Sequence, residues 1–503
     1  MREEQLVSLR GTLEWLKDEV KVLEAEVDPV IEATAINKAL DDGPVFVAED
    51  VRGFPHARLV ASLWGRRDRV NKMIGAENPK EATLRVLNAI KQPILPREVT
   101  EGPCQEIVIP KDEVDPNRLF PMVKHTEMDG GRFFGSGVHL ISGRYCEGKS
   151  QLAFYRMSFR GRDYASINMV PGGHGDQIAW RFKDEKIPCT VNICPPPMVE
   201  MVANGSLNPV VFPNPVDELG IAGALQGSPI EIVKAKTVDA YAIANAEWVI
   251  EGNIVPYERV WETEAAEEMG AQGMAFFHPE WARYMGRAYR ARKFEVTAVT
   301  RRKDRPLYYV PYFGTIWASI PFICAGFIEL AERVAPGFVQ DVTTSTGLTA
   351  WGGVVFQVRK RRRSDEGLQR NILAAAMGVV RGLRLAIVVD EDVNIYQPED
   401  ILWALTTRVN PAADIIYGAS GSRGQAYQPS ERVAASGQQM VSTFEGGIGI
   451  DATVPLAAKE HFQRARYPVD KVDLGKWFTE EEIREIRARQ DSYIRFLGET
   501  GLA

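Results

Sequence analysis

The region between Ile107 and Val299 alternates short apolar runs with turns that contain glycine or proline. The runs are EIVIP, GSGVHLISG, QLAFYRMSF, PCTVNI, PIEIVKA and FEVTAV. Many short strand-like runs with this punctuation are typical of a β-barrel or a β-sandwich. The segment PVDELGIAGAL within this region is predicted to be helical. The middle of the chain is therefore expected to be built on a sheet.

The last third of the chain has a different pattern. The segment SDEGLQRNILAAAMGVV predicts a helix with Ser364 as its N-cap. It leads into LRLAIVVDEDV, whose apolar residues indicate a buried parallel strand, and QPEDILWALTTR predicts the next helix. A final helix is predicted from TEEEIREIRARQDSYIRFLG, with Thr479 and Glu482 as a capping box and Gly498 at the C-cap. Helix, buried strand and helix together indicate an α/β domain.

The start of the chain places leucine or valine at alternating spacings of three and four, which predicts one helix between residues 6 and 23 that ends before Pro29. The fold class is therefore α/β (α+β). We expect an N-terminal α/β region with a leading helix over 1–110 and a split β-barrel over 111–305. A C-terminal α/β domain over 306–475 and a terminal helix over 476–503 would complete the chain.

Composition excludes several classes of function. The net charge of −7 and the pI of about 5.7 argue against a nucleic-acid-binding protein. No stretch of 18 uninterrupted apolar residues predicts a membrane span, and the charged N-terminus lacks a signal-peptide core, so a cytoplasmic protein is expected. The five cysteines form no C-x-x-C pair, which indicates buried free thiols rather than a zinc site.

Three polar residues stand in otherwise apolar or glycine-rich surroundings: Arg156 ends QLAFYR, His174 lies in PGGHG, and Glu218 lies in DELG. Each has an ordinary interpretation, as a surface ion pair, a turn residue and a first-turn acid that favours the helix dipole. His174 and Glu218 could instead share a metal site. An imidazole, a carboxylate and an amide suit Mn²⁺ or Mg²⁺ better than zinc, and such ions commonly bridge to phosphate. The glycines around His174 would let backbone N–H groups approach that phosphate.

Several phrases in order along the chain carry a resemblance to a known family. They are FPMVKHTEMDGGRFFGSG (120–137), QLAFYR (151–156), DELGIAGAL (217–225), ANAEWVIEG (244–252), FEVTAVTRR (294–302), LAIVVDEDVNIYQPEDILWALTTRVNP (385–411) and GIGIDATVPL (447–456). With these phrases the chain resembles the UbiD-type decarboxylases, which use prenylated FMN. The resemblance implies that the split barrel binds the flavin and that the C-terminal α/β domain forms an oligomer.

The resemblance also implies a set of ligands for the cofactor and its metal. His174 and Glu218 match the metal ligands of the family, and Gln151 stands where the family usually has asparagine. Tyr155 and Arg156 would join these three residues in binding the cofactor. The implied ions are Mn²⁺ or Mg²⁺, with K⁺ as a candidate further ion, and a flavin prenyltransferase would supply the cofactor.

The catalytic network of the family is an arginine with two glutamates. Arg156 matches the arginine, and Glu280 of FFHPEW matches the second glutamate, the proton donor. The family's E-G-P-x-G-E phrase is absent, and Glu267 or Glu268 is the prediction for the first glutamate. His278 has two open interpretations, as a substrate contact or as a support for the loop.

The implied reaction is reversible, non-oxidative decarboxylation of an aromatic or heteroaromatic acid, such as an indole-, pyrrole- or furan-type carboxylate. Arg156 would bind the carboxylate and Glu280 would return the proton. A flavin reductase that uses FMN and NAD(P)H, and a non-catalytic subunit of a multi-component decarboxylase, remain alternatives. Partners would be the acid, CO₂ and a second copy of the chain, joined mainly through the C-terminal α/β domain and the final helix, whose apolar residues are Tyr493, Ile494, Phe496 and Leu497.

Overall fold

The computed structural model describes residues 2–205, 207–311, 317–345, 347–348, 352–380, 382–418, 447–465 and 468–489. Contacts divide these residues into two compact units, with the boundary between Gly326 and Phe327. The division of the chain into four parts stays a prediction. Gly498 and the four apolar residues predicted near the C-terminus lie outside the described residues.

The first unit contains both helices and sheets. Its helices are α1 (Arg2–Leu6), α2 (Leu9–Trp15), α3 (Glu32–Ala39), α4 (Arg67–Ile74), α5 (Pro79–Lys91), α6 (Pro116–Leu119), α7 (His174–Arg181), α8 (Pro197–Asn204), α9 (Glu218–Gln226), α10 (Glu264–Met269) and the start of α11 (Ile320–Val334). Its strands are β1 (Val20–Leu23), β2 (Val45–Ala48), β3 (Arg58–Ala61), β4 (Arg97–Glu98), β5 (Ile107–Pro110), β6 (Gly137–Ser142), β7 (Ser150–Phe154), β8 (Met157–Phe159), β9 (Tyr164–Ile167), β10 (Ile187–Ile193), β11 (Glu231–Lys234), β12 (Tyr241–Ile243), β13 (Trp248–Trp261), β14 (Phe276–Pro279), β15 (Met285–Arg287), β16 (Arg290–Arg301) and β17 (Leu307–Tyr309).

The prediction of one helix between residues 6 and 23 is wrong. The chain forms α1 and α2, and Ser8 breaks the run by accepting a hydrogen bond from the Gly11 amide, as an N-cap does. Val20 and Leu23 lie instead in β1, which pairs in parallel with β2. The spacing does identify residues that face the core, because Leu6, Leu9 and Leu16 are buried. The last part of the segment is nevertheless a strand, because its pairing with β2 outweighs the helical spacing.

The largest sheet has eight strands, in the order β7-β6-β10-β13-β16-β9-β8, with β5 also paired to β16. The strands are antiparallel neighbours throughout. β7 and β8 end this order on opposite sides, yet only Tyr155 and Arg156 separate them in the chain. Three residue steps span at most about 11 Å, so the sheet must curl until its two edges meet. This is the half-barrel that the sequence predicts, and Arg156 lies where the edges meet.

The long strands β13 and β16 pair with two register shifts. One shift lies between Glu251 and Gly252, and the other lies between Val255 and Arg259. In the second shift, Val255 faces Lys293 and Arg259 faces Arg292, so residues 256–258 have no partner across the ladder. Extra residues of this kind bend a strand and re-aim the side chains that follow. The end of β13, directly before Glu262, is therefore turned by this bulge.

The second unit is an α/β layer. Its strands are β18 (Val339–Thr343), β19 (Gly353–Val358), β20 (Leu385–Asp390), β21 (Ile415–Tyr417) and β22 (Ile448–Ala452), and its helices are the rest of α11, α12 (Leu368–Val379), α13 (Pro398–Arg408) and α14 (Glu480–Arg489). The predicted buried strand is β20, which pairs in parallel with β19 and β22. α13 and the Thr479–Glu482 capping box are also confirmed.

The helix predicted to begin after Ser364 begins later. Residues Arg363–Asp365 form a separate 3₁₀ turn, and Gly367, with a positive φ of 97°, leads into α12 at Leu368. The Asp365 carboxylate accepts hydrogen bonds from the amides of Arg361 and Arg362, which ties it to its own turn. The serine is therefore not the N-cap of α12.

Two predictions from composition can be compared directly with the fold. The five cysteines are all buried and form no disulfide, as expected. Within the described ranges, no helix has both the length and the apolar character that crossing a membrane requires.

Glu200, on α8, gives a test of the buried charge in the first unit. It is almost fully buried, and its Oε2 atom accepts a hydrogen bond from the Trp64 indole N–H at 3.1 Å. Burial raises the pKa of Glu200 to about 8 from a usual 4.5. The folded state therefore binds more protons than the unfolded state between these pH values, and stability is lost as pH rises from about 5 to about 8.

We predict that Glu200→Gln is neutral or mildly destabilising at pH 5 but stabilising at pH 8.5, by up to about 4 kcal/mol. The amide keeps an acceptor for Trp64 and cannot ionise. Chemical denaturation at the two pH values measures the difference. Glu268→Gln, which makes the same change at an exposed position, serves as the control. An equal effect of Glu200→Gln at both pH values would contradict the prediction.

Candidate active site

Arg156 is the centre of a buried polar cluster at the closing edge of the half-barrel. Its Nε and Nη2 atoms donate to the two carboxylate oxygens of Glu262 at 2.8 and 2.7 Å. Nη2 also donates to the Arg287 carbonyl at 2.7 Å. Nη1 donates to Glu280 Oε1 at 2.7 Å and to His278 Nε2 at 3.3 Å. A guanidinium has five N–H groups, and here each has an acceptor.

Glu262 is the first carboxylate of this cluster, and the sequence did not predict it. It follows the end of β13 and lies 106 residues from Arg156 along the chain. Its oxygens also accept from the Tyr289 amide at 2.7 Å and the Asn168 side chain at 3.1 Å. Bidentate arginine–carboxylate pairs are among the strongest hydrogen-bonded ion pairs. Four hydrogen bonds therefore fix Glu262 in place as a buried anchor for the guanidinium.

The two glutamates predicted for this role lie elsewhere. Glu267, on α10, is exposed and pairs with Arg160 Nη2 at 2.9 Å. Glu268 is exposed on the same helix. The helix starts two residues after Glu262 and carries its acids away from Arg156. The prediction of Glu267 or Glu268 is therefore wrong for the residue that pairs with Arg156, and Glu262 takes that place.

Glu280 follows β14 in the turn that connects it to β15. The turn is held by the Glu280 amide, which donates to the Tyr284 carbonyl at 2.9 Å, and by the Arg283 amide, which donates to the Glu280 carbonyl at 2.8 Å. On β15, Gly286 leaves the space that the Glu280 side chain fills. A Cβ atom at residue 286 would lie 2.6 Å from Glu280 Oε1 and 2.7 Å from its Cγ. A glycine is therefore required opposite Glu280.

His278 lies on β14 and is 2 % exposed. Its ring stacks on Phe133 with centroids 4.3 Å apart and planes at 8°. Its Nδ1 atom lies 2.7 Å from the Pro279 carbonyl oxygen. Phe277, on the same strand, packs its ring 4.9 Å from the Arg156 guanidinium carbon. Phe277 therefore packs against the cluster, and His278 contacts Arg156 directly.

The charges of this cluster fix its protonation. Burial opposes the charge on Arg156, but Glu262 and Glu280 outweigh it and raise the pKa of the guanidinium. Burial, and then the positive charge of Arg156, lowers the pKa of His278 well below its ordinary value. The cluster thus holds a permanent cation, two carboxyl groups and a neutral imidazole in a site shielded from water.

A second group of predicted residues surrounds β7. Asp217 caps α9, and its carboxylate accepts hydrogen bonds from the Gly220 amide and from the Ser150 hydroxyl of β7. The Leu219 amide donates to the same hydroxyl at 2.8 Å. These bonds hold the start of α9 on the strand, and Glu218 Oε2 accepts a hydrogen bond from the Leu152 amide. Burial raises the pKa of Glu218 to about 8, so the site stabilises its carboxylate poorly.

His174 is the first residue of α7. The next residue, Gly175, meets Tyr155, because a Cβ at residue 175 would lie 1.9 Å from the tyrosine hydroxyl oxygen. Asp176 accepts a hydrogen bond from the Gly172 amide at 2.8 Å and pairs with Arg292 at 2.6 Å. The glycines of PGGHG therefore serve close packing on Tyr155 and a tight loop that places His174 beside the closing edge.

These residues fit a hard cation because two of their atoms are buried, have no hydrogen-bond partner and could coordinate a metal. Gln151 donates its amide N–H to the Leu152 carbonyl, but its Oε1 atom is buried without a hydrogen-bond partner. His174 Nδ1 is also buried without one. No group of three or more His, Cys, Asp or Glu side chains that could hold a metal ion occurs among the residues described. A cation here would therefore need the Gln151 amide, and a phosphate could complete its shell.

The predicted residues thus form two groups along one strand–loop segment. Arg156, His278 and Glu280 are in contact, and Glu262 joins them. Gln151 and Glu218 meet at β7, and Tyr155 meets the helix of His174. Tyr155 and Arg156 connect the groups, since they are neighbours in the chain. A carboxylate-bound arginine beside buried atoms that could coordinate a metal suits the binding and protonation of an anion next to a phosphate-bearing cofactor.

Comparison with family models covers most of the chain. Three domains of 3-octaprenyl-4-hydroxybenzoate carboxy-lyase match in order: the N-terminal domain at residues 14–89, the Rift-related domain at 97–315 and the C-terminal domain at 320–452. The gallate decarboxylase of Lactiplantibacillus plantarum is 30 % identical over 498 residues, which cover 92 % of this chain and 97 % of that one.

Solved structures show the same likeness. The apo 3,4-dihydroxybenzoic acid decarboxylase of Enterobacter cloacae matches with a TM-score of 0.82 at 28 % identity, over 93 % of this chain and 98 % of that one. The UbiD-class enzyme HmfF of Pelotomaculum thermopropionicum, in complex with FMN, matches with a TM-score of 0.80 at 26 % identity, over 94 % of this chain and all of that one. An evolved dimeric form of HmfF, in complex with prFMN, matches with a TM-score of 0.78 at the same identity and coverage.

The space at Gly286 gives a test of the arginine cluster. Gly286→Ala should push Glu280 off Arg156 Nη1, because no rotation of a Cβ avoids a contact of 2.6 Å. Losing one partner of a buried ion pair costs about 3–5 kcal/mol, so the variant should unfold at clearly lower denaturant concentration. Gly378→Ala, on α12 with open space around it, should be neutral or stabilising. Equal stability of the two variants would show that Glu280 is not held as described.

Proposed function

We propose, since the chain belongs to the UbiD family of carboxy-lyases, that it catalyses the non-oxidative decarboxylation of an aromatic or heteroaromatic carboxylic acid. The observation that carries the proposal is the buried cluster in which Arg156 binds Glu262 and Glu280. A chain that had kept only the fold would have no reason to bury one cation with two carboxylates. This observation therefore disfavours a non-catalytic subunit.

Two observations support the proposed substrate class: the substrates of the relatives and the aromatic residues around Arg156. The relatives named above act on gallate and 3,4-dihydroxybenzoate, and both are planar aromatic acids. In this chain, Phe277 and Tyr289 lie on the Arg156 guanidinium, at 4.9 and 5.4 Å from their ring centroids. A cation with aromatic walls suits a flat ring that carries a carboxylate. Furan-, pyrrole- and indole-type acids have the same two features and belong in the test panel.

Prenylated FMN is the proposed cofactor, and a divalent cation, Mn²⁺ or Mg²⁺, is proposed to tie its phosphate to the protein. The neighbours HmfF–FMN and HmfF–prFMN support a flavin. When bound, the prenylated flavin supplies the electron sink that loss of CO₂ from an aromatic carbon requires. Gln151, His174 and Glu218 would hold the metal through the unused donors described above, with Tyr155 beside them. K⁺ is proposed as a further ion on the strength of the family resemblance alone.

The side chains of this chain would carry out the remaining steps. Arg156 binds and orients the substrate carboxylate, and Glu262 keeps the guanidinium from moving. The covering aromatic residues exclude water. When the substrate carboxylate takes its place at Arg156 Nη1, Glu280 takes up a proton from solvent. Loss of CO₂ leaves an electron pair on the ring carbon, and Glu280 donates that proton to complete the C–H bond. This donation returns Glu280 to its starting state, and the net reaction takes up one proton from solvent.

A flavin reductase on the same half-barrel is the second candidate. It would need a nicotinamide site, and no motif for one occurs in the sequence. Bound-flavin absorbance and NADH turnover separate the two functions. As partners we propose a flavin prenyltransferase and a second copy of this chain, joined mainly through the C-terminal α/β domain, and we propose that the protein works in the cytoplasm.

The cofactor site can be tested without turnover. His174→Ala removes one of two buried unused donors, so the variant should purify without flavin or divalent metal after co-expression with a flavin prenyltransferase. Flavin absorbance and elemental analysis measure both. His461→Ala, at an exposed position in the second unit, should keep both. Full flavin and stoichiometric metal in His174→Ala would remove the proposed metal site.

The proton donor can be tested with Glu280→Gln, which keeps shape and hydrogen bonding but delivers no proton. Decarboxylation of the best acid in the panel should fall by about 100- to 10,000-fold. Solvent-deuterium exchange into the product should fall with it, because it is the same step in reverse.

Glu267→Gln is the matched control, since Glu267 pairs with Arg160 outside the cluster, and it should stay fully active. If Glu280→Gln exchanges deuterium at the wild-type rate, Glu280 is not the acid. If the wild-type enzyme decarboxylates no acid in the panel but oxidises NADH, the proposed function is wrong.

A further inference from the structure

The bonding of Arg156 restricts where a substrate carboxylate can enter. All five of its N–H groups have acceptors, so an incoming carboxylate must replace one of them. Glu262 holds Nε and Nη2 with a bidentate pair and is itself fixed by four hydrogen bonds. The other acceptor at Nη2 is a backbone carbonyl. Only Nη1 carries two side-chain acceptors, Glu280 and His278, so the exchange takes place there.

The contacts of His278 determine where its proton lies. The Pro279 carbonyl, 2.7 Å from Nδ1, can only accept, so Nδ1 carries the hydrogen. Arg156 Nη1, 3.3 Å from Nε2, can only donate, so Nε2 presents its lone pair. Stacking on Phe133 fixes the ring plane. An imidazole in this arrangement is neutral and has no proton to give at the atom that faces the cluster.

The charged groups around the ring agree with this state. Arg156 and the ring of His125, whose centroid is 6.5 Å away, both face His278. Burial, followed by Arg156 and to a lesser degree His125, lowers the pKa of His278. Glu280, on the neighbouring turn, shares the nitrogen Nη1 and is itself paired with Arg156. The pairing with Arg156 therefore engages the Glu280 carboxylate, which could otherwise have drawn a proton to the ring.

We propose that His278 is a positioning residue whose Nε2 lone pair holds Nη1 of Arg156 while Glu280 gives that nitrogen up to the substrate carboxylate. Glu280 must leave Nη1 to reach the product carbon, and without His278 the guanidinium would lose its last side-chain acceptor on that side. The role is fixed by the Nδ1–H tautomer. This inference rests on the proposed function for the substrate, but the tautomer itself does not.

The first test compares two variants of residue 278, one that keeps a hydrogen-bond acceptor for Arg156 and one that has none. His278→Gln offers an amide oxygen near the place of Nε2, and His278→Leu fills the space without an acceptor. For His278→Leu, kcat/KM should fall about 10- to 100-fold, the expected effect of a charged donor left unpaired, mostly as a higher KM. His278→Gln should stay within a few-fold of wild type and keep both limbs of the pH profile of kcat.

Three kinetic results would overturn the assignment. They are wild-type kinetics in His278→Leu, an equal loss in His278→Gln and His278→Leu, and the disappearance of one limb of the pH profile in His278→Gln. The last result would make the histidine itself the acid. A purely structural role predicts lower stability in both variants with no split between KM and kcat.

The second test needs no turnover. Full-length wild-type protein labelled with ¹⁵N-histidine has six histidines, and the signal missing from His278→Gln identifies residue 278. Its ring should show a protonated Nδ1 and an unprotonated Nε2 at pH 7, unchanged at pH 5. A proton on Nε2, or an imidazolium, would overturn the proposal. Inactivity of the wild type on every acid would instead count against the proposed function, with the tautomer still decided by this measurement.

Discussion

The bidentate ion pair between Arg156 and Glu262 is the interaction on which the rest of the site depends. It joins the closing edge of the half-barrel to the end of its longest strand, and neither charge is left without a partner. Taking both groups out of water is costly, and the geometry recovers that cost only because every donor and lone pair is used. The positions of Glu280 and His278 then follow, since both accept from Nη1, and Gly286 leaves the space that Glu280 fills.

Much of the fold could be predicted from the sequence because the strands of the half-barrel are short, apolar and bounded by glycine or proline. β6, β10 and β16 each coincide with an apolar run. The start of the chain was predicted wrongly because a spacing of three and four is shared by two short helices and a following strand. The Ser8 N-cap separates the two helices locally, but only pairing with β2, more than twenty residues away, distinguishes the strand from a helix.

The site was predicted unevenly for a related reason. Arg156, His278 and Glu280 stand in recognisable phrases, and the structure places them in contact. Glu262 was missed because its position depends on the register of β13 against β16, and the local sequence WETEAAEEMG offers several equivalent acids. The one local signal was its place directly after a long apolar strand, where a side chain is held more rigidly than on the short helix that follows. The role of His278 could not be predicted because it depends on which atoms its two ring nitrogens contact, and only the structure shows those contacts.

The bulge in β13 also determines where the gene can vary in length. Side chains alternate between the two faces of a strand, so removing or adding a single codon within the paired residues 259–261 would reverse the face of the residues that follow, up to Glu262. A change of length within residues 256–258 leaves those pairs in place, because these residues have no partner in the ladder. Related sequences should therefore tolerate gaps inside the bulge but not in the short paired stretch after it. An alignment that opens a one-residue gap in that stretch marks either a misplaced gap or a protein that has lost its anchor for Arg156.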